Sequence, residues 1–224
     1  MQRTPRRDKG HIRLNPRDLT VLTWIGDQYA IRLDSLQVLL GRAAQQATKV
    51  EGQVSESTAR QVIDRWKQED LVATRKFFYR EPEWIWLTAN GLRQMDFPFK
   101  LWTPKVGLLP HFHLVNQVRL HTEQSYKHFC QWRGERLLRQ EHRGDTKFHV
   151  PDGEVVTNSQ EVIAIEVERT VKSRPRVHAI SKNLSRQYQR IWYFVTPATR
   201  FVISEAVAEY QAEFRLYDLS KIAE

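Results

Sequence analysis

Cysteine is almost missing from this chain: Cys130 stands alone among 224 residues. One thiol cannot form an intrachain disulfide, and zinc or iron–sulfur sites built on several thiolates are excluded with it. A reducing compartment is the natural expectation. Long apolar runs are also missing. The longest, such as Ile191-Trp-Tyr-Phe-Val195, have the length of a strand, far short of the roughly 20 residues that span a bilayer. The charged start, Met1-Gln-Arg-Thr-Pro-Arg-Arg7, leads into no apolar stretch of signal-peptide kind. No membrane insertion and a cytoplasmic location are therefore expected. Acid is the minority charge, with 26 Asp and Glu against 35 Lys and Arg and a net charge of +9. That balance suggests an anionic partner, nucleic acid first and a membrane surface second. Hydrophobic residues at 41% are enough for an ordinary core, so full disorder is excluded.

The charge is unevenly spread. Residues 1–17 carry Arg3, Arg6, Arg7, Lys9, Arg13 and Arg17 against Asp8 alone. Residues 1–14 read as a basic arm, either a solvated tail or a phosphate-contacting one. A second basic block holds Lys172, Arg174, Arg176, Lys182, Arg186 and Arg190. It follows an acidic stretch of Glu141, Asp145, Asp152, Glu154, Glu161, Glu166 and Glu168. Such an order suits acids that hold a cation and bases that hold phosphates, or two faces that simply meet water.

Residues 15–97 read as a winged helix-turn-helix. Asn15-Pro16 is a helix start, a capping side chain followed by proline at the first turn. Leu19, Leu22 and Ile25 recur at helical spacing to about Tyr29. A second helix is expected over Asp34–Leu40, ended by Gly41, with a polar loop at residues 42–54. Ser55 or Ser57 caps a third, Thr58–Glu69, whose stripe is Ala59, Val62, Ile63 and Trp66. Two β-rich segments, Leu71–Tyr79 and Glu83–Leu87, form a hairpin, and Thr88–Met95 a closing helix. In such a module the third helix enters the major groove. Arg60, Gln61 and Arg65 are the candidate base contacts, with Lys76 and the arm residues Arg3, Arg6 and Arg7 on phosphates. Residues 98–110, rich in proline, read as a linker.

Residues 111–224 carry the chemistry. A helix is expected over Phe112–Phe129, then strands at Cys130–Leu138 (with Glu135 inside), Lys147–Val156 (with Asp152 near its end) and Glu161–Glu168. A helix at Arg174–Tyr188, a strand at Arg190–Thr196, a helix at Ser204–Tyr210 and a strand at Phe214–Tyr217 follow. With Pro151-Asp152 and then Glu166-Val-Glu168, this order resembles the PD-(D/E)xK restriction-endonuclease-like fold, so the chain is expected to be α+β. What that resemblance implies is a divalent cation, Mg2+ or Mn2+, held by Asp152, Glu166 and Glu168, since hard cations take oxygen ligands. Two acids in an apolar strand are costly unless a cation compensates them. The chain departs from the pattern where Glu168 replaces the usual lysine, and Lys182 on the next helix is the candidate for the missing positive charge.

A resemblance over nearly the whole chain adds to this. The winged helix, His113-Leu-Val-Asn116, Trp132-Arg-Gly-Glu135, Pro151-Asp152, Glu166-Val-Glu168, Lys182 and Tyr188 are together similar to the replication-relaxation proteins and the MOBC relaxases of mobilizable plasmids. The resemblance implies a metal-dependent, site- and strand-specific nick in plasmid DNA at the transfer origin. It implies, as partners, an accessory mobilization protein and a type IV coupling protein. On it, Glu168 completes the metal shell or acts as base, and Glu135 is a fourth carboxylate. His113 and Asn116 position the phosphate or the metal shell, and Tyr188 stacks on a base or attacks phosphorus. Arg174 and Arg176 are phosphate contacts. Taken alone, His113 fits a satisfied buried histidine better than a ligand, Asn116 fits a cap or a surface residue, and Tyr188 fits the core better than a ligand contact. A non-catalytic DNA-binding accessory protein and a general deoxyribonuclease remain the alternatives.

Overall fold

The computed structural model describes residues 14–44 and 52–222, and the statements below concern those. The arm, with Arg3, Arg6 and Arg7, lies outside them, as does much of the polar loop after the second helix. The chain is α+β, with eight α-helices and two sheets among the described residues. It divides into two compact units. One comprises the chain up to Gly26 with Ala30–Trp102, the other Asp27–Tyr29 with Thr103 onward.

The first unit starts with α1 (Pro16–Asp27). Asn15 and Asp18 cap it reciprocally: Asp18 N–H donates to Asn15 Oδ1 at 2.9 Å and Asn15 N–H to Asp18 Oδ2 at 3.2 Å. Val21, Leu22, Trp24 and Ile25 are its buried face, whereas Leu19, read as part of that stripe, is exposed. After β1 (Ile31–Arg32), α2 spans Leu33–Ala43 and runs through Gly41 rather than ending there. The glycine answers a different need: a Cβ at Gly41 would come within 2.3 Å of the Gly52 carbonyl oxygen. The returning chain is bonded to α2 at that level, Val54 N–H to the Gln37 carbonyl at 3.1 Å. Helix α3 (Glu56–Gln68) is capped by Ser55, and Ala59, Val62, Ile63 and Trp66 are all buried, as its spacing predicts. The hairpin strands β2 (Val72–Arg75) and β3 (Trp84–Leu87) are shorter than expected. They pair in the order β1-β3-β2, all antiparallel, and α4 (Ala89–Gln94) follows with Thr88 as its cap.

The second unit is a five-stranded sheet between helices, beginning with α5 (Leu109–Ser125). Strands β4 (Phe129–Gly134), β5 (Gly153–Thr157) and β6 (Val162–Glu168) form an antiparallel meander. Helix α6 (Glu135–Glu141) separates β4 from β5. Crossovers through α7 (Arg174–Gln187) and α8 (Pro197–Val207) add β7 (Arg190–Val195) and β8 (Glu213–Asp218) in parallel, giving the order β4-β5-β6-β7-β8. Strand β6 is central and buried on both sides, so its alternation sorts two cores. Ile163, Ile165 and Val167 join Val115 and Val118 of α5. Ala164 joins Val177 and Leu184 of α7 with Ile203 and Ala206 of α8.

Three expectations for this unit need correction. Glu135 is not inside a strand: Gly134 ends β4 in extended backbone, and Glu135 opens α6, where an acid suits the positive end of the helix. Asp152 precedes β5 instead of ending it. The last helix starts seven residues earlier than the expected Ser204, because Thr196 forms a capping box with Thr199 and Pro197 takes the first turn.

Candidate functional site

The register of β5 and β6 brings the acids together. The pair Gly153–Ile165 is the last of that ladder, so Asp152 stands opposite Glu166 one step beyond it. Its Oδ2 accepts the Val167 N–H at 2.8 Å, which holds the carboxylate over the end of β6. The next residue, Gly153, leaves room for the Trp132 ring, which would lie 2.3 Å from a Cβ there. Glu166 and Glu168, two residues apart, share the face opposite Val167 and are both buried, at 4% and 3% exposure. Glu154 lies on the same face, paired in register with Ala164. The strands thus carry mirrored acid-x-acid patterns, Asp152-x-Glu154 and Glu166-x-Glu168. Asp152, Glu166 and Glu168 were legible in the sequence as site residues; Glu154 was legible only as one of a run of acids, with no place in the site.

Each acid has its own counter-group. His111 Nε2 meets Asp152 Oδ1 at 2.9 Å and His149 Nε2 meets Glu166 Oε1 at 3.0 Å. The Lys172 ammonium bonds Glu168, and the Glu168 carbonyl accepts the Thr199 hydroxyl at 3.0 Å. Glu135 is bonded by Arg139 Nε at 2.7 Å and lines a small cavity with His111 and Asp152. Glu154 accepts the Tyr188 hydroxyl at 2.6 Å and Arg133 Nη1 at 2.7 Å.

The electrostatics follow from burial. Desolvation pushes the Glu166 carboxyl up to about 7; the His149 bond pulls it back, and the charge of Asp152 raises it further. Burial likewise raises Glu168, with Lys172 opposing, and Glu135, with Arg139 opposing. Burial works against a charged imidazole at His111 and His149. The carboxylates outweigh it, so both rings are held above the usual histidine range. Tyr188 is raised well above the usual phenol range by burial and then by its bond to Glu154. A hydroxyl so placed is a hydrogen-bond donor and a poor nucleophile.

The other sequence-predicted residues are distributed as follows. The buried face of α7 is Val177, Ser181 and Leu184, so Lys182 points outward and is exposed; the lysine that meets the acids is Lys172. His113 is half-buried and Asn116 fully buried on α5. Arg174 pairs with Glu205 at 3.0 Å, and Arg176 is exposed. On α3, Gln61 is exposed. Arg60 is bonded to Glu56 at 2.9 Å and to Glu83. Arg65 does not project freely, because it bonds the buried Asp18. Lys76, in the hairpin, is exposed and lines a cleft of about 400 Å3 with Arg60 and Arg80.

The acids fit a hard divalent cation by donor chemistry, since every candidate ligand is a carboxylate oxygen. By charge, each of Glu135, Asp152, Glu166 and Glu168 is already met by Arg139, His111, His149 and Lys172 respectively. As they stand, no three His, Cys, Asp or Glu side chains among the described residues are gathered closely enough to hold an ion. Among those residues no helix is long and apolar enough to cross a membrane. No protein-family model, no curated protein and no solved structure matches this chain.

Proposed function

We propose that this chain is a DNA-nicking enzyme of the relaxase kind. A winged helix in its first unit binds duplex DNA, and a PD-(D/E)xK-like second unit cuts one strand at a plasmid transfer origin. The observation that carries the reading is the register of Asp152 against Glu166, with Glu168 two residues on. Clustered acids with raised carboxyls, here Glu135, Glu166 and Glu168 around Asp152, are characteristic of functional sites. The element order of the first unit and the net charge of +9 support the DNA-binding part. The partners and compartment that go with this reading are an accessory mobilization protein, a type IV coupling protein and the cytoplasm.

Asp152 and Glu166 would hold Mg2+ or Mn2+, with Glu168 or Glu135 as a further oxygen donor. When bound, such an ion polarises the scissile phosphate and makes water a stronger acid. The chain's own groups do the rest. Asp152 is kept in place by the Val167 N–H. His149, bonded to Glu166 Oε1 at 3.0 Å, orients that carboxylate, and Glu168, where it does not complete the shell, serves as the base that accepts the proton of the attacking nucleophile. Lys172 brings the positive charge that the usual lysine of this motif supplies, carried four residues past Glu168.

The test is a supercoiled plasmid carrying the cognate origin, incubated with Mg2+ or Mn2+. Asp152→Ala should lower nicking at least ~100-fold while a mobility shift on the same DNA is unchanged. Unchanged nicking by Asp152→Ala removes the assignment. In the same assay Lys172→Met should slow nicking at least ~10-fold and Lys182→Met should not, because only the first cation reaches the acids. Equal effects would return the charge role to Lys182. A second reading is favoured by one observation, the occupation of Glu168 by Lys172. A degenerate nuclease fold that binds DNA as an accessory protein would shift the same DNA and leave the plasmid supercoiled.

A further inference from the structure

The hairpin of the first unit ends in an aromatic that no role above uses. Residues 76–83 join β2 to β3, and Tyr79 at their tip is 85% exposed. A single exposed aromatic is ordinary on a protein surface. Three features set this one apart. The loop is anchored from beneath, with Phe77 tilted on Trp86 at a ring separation of 6.1 Å. Arg80, next to Tyr79, sits at φ +61°, a left-handed conformation that a non-glycine residue holds only at a steric cost. The charges are sorted: Glu81 faces Arg32 at 3.9 Å and Glu83 bonds Arg60, whereas Arg75, Lys76 and Arg80 pair with no acid among the described residues. The Arg80 guanidinium lies 5.2 Å from the Tyr79 ring and that of Arg75 lies 5.3 Å from Phe77.

We infer that Tyr79 is a base-stacking residue and that its ligand is an unpaired DNA base at the border of a duplex. An intact duplex shows its grooves only base edges, so a ring has no base face to stack on; an opened base pair presents one. Arg75, Lys76 and Arg80 then hold the flanking phosphates. The stacked ring offsets part of the cost of unpairing. This inference rests on the DNA-binding reading above and extends it to the form of DNA bound.

The experiment compares the full chain with Tyr79→Ala, Tyr79→Phe and Tyr79→Trp. The probes are a blunt duplex, a forked duplex with oligothymidine arms, and free oligothymidine, each titrated at low and high salt. The parent should prefer the fork. Tyr79→Ala should weaken fork binding roughly 10-fold and leave the blunt duplex unchanged, and both aromatic variants should keep fork affinity, because stacking needs only a ring. Equal affinity of parent and Tyr79→Ala for the fork overturns the inference, even where salt-sensitive duplex binding upholds the DNA reading. A parent that binds none of the three probes overturns both. If Tyr79→Ala leaves fork binding intact and instead abolishes self-association in sedimentation, the tip is a protein contact and the inference fails.

Discussion

Glu166→Gln is expected to stabilise the second unit as pH rises and to lose nicking at the same time. Glu166 has a folded pKa of about 7, against 4.5 for the free side chain. A carboxyl raised in this way contributes stability below about pH 4.5, and that contribution is lost as pH climbs through 7. Near pH 8 the ionised, buried group costs up to about 3 kcal/mol, which the neutral amide avoids. His149 runs in the same direction: its imidazole is raised by Glu166, and the stability it adds below the ordinary histidine range fades as the ring deprotonates. Removing Glu166 removes both effects. Denaturant midpoints of parent and variant, taken at about pH 5 and about pH 8, should diverge in favour of the variant at the higher pH. A pH-independent difference sinks the electrostatic account. A variant that nicks normally makes Glu166 a structural acid.

The second large effect concerns Asp18, fully buried in the first unit. It accepts from the Trp66 indole N–H at 3.2 Å, bonds Arg65, and takes the Asn15 N–H at the start of α1. Asp18→Ala should destabilise that unit by about 3 kcal/mol, since it leaves a partly buried guanidinium and a buried N–H without their acceptor. Adding Arg65→Met should recover part of the loss, because the apolar chain no longer strands a charge. Urea unfolding of the two single variants and the double variant measures this coupling. Additive losses would mean that Asp18 serves Trp66 and the helix cap alone. The same pair decides a matter of recognition. Arg65 is held within the unit by Asp18, so of the contacts in the proposed DNA-binding reading Gln61 and Lys76 are the exposed ones.

Both effects involve partners that no sequence window displays. Arg65 lies 47 residues from Asp18, His149 lies 17 from Glu166, and His111 lies 41 from Asp152. Glu168 and Lys172 form a local pair, four apart, yet the sequence pointed to Lys182, because a helix was expected there and its facing was not. Only the packing of Val177, Ser181 and Leu184 against the sheet turned Lys182 outward.

By itself the sequence determined what depends on short-range periodicity and backbone chemistry. The buried stripe of α3, the capped start of α1, the central apolar strand with two acids on one face, and the lack of disulfides belong there. Each follows from side-chain spacing of 3.6 or 2 residues, or from a residue count. Tertiary structure alone decided that Glu135 opens a helix and which cation meets which carboxylate. Strand register and the facing of crossover helices are set by how two cores close over β6. Charge pairing is a consequence of that closure, which spans segments far apart in the chain.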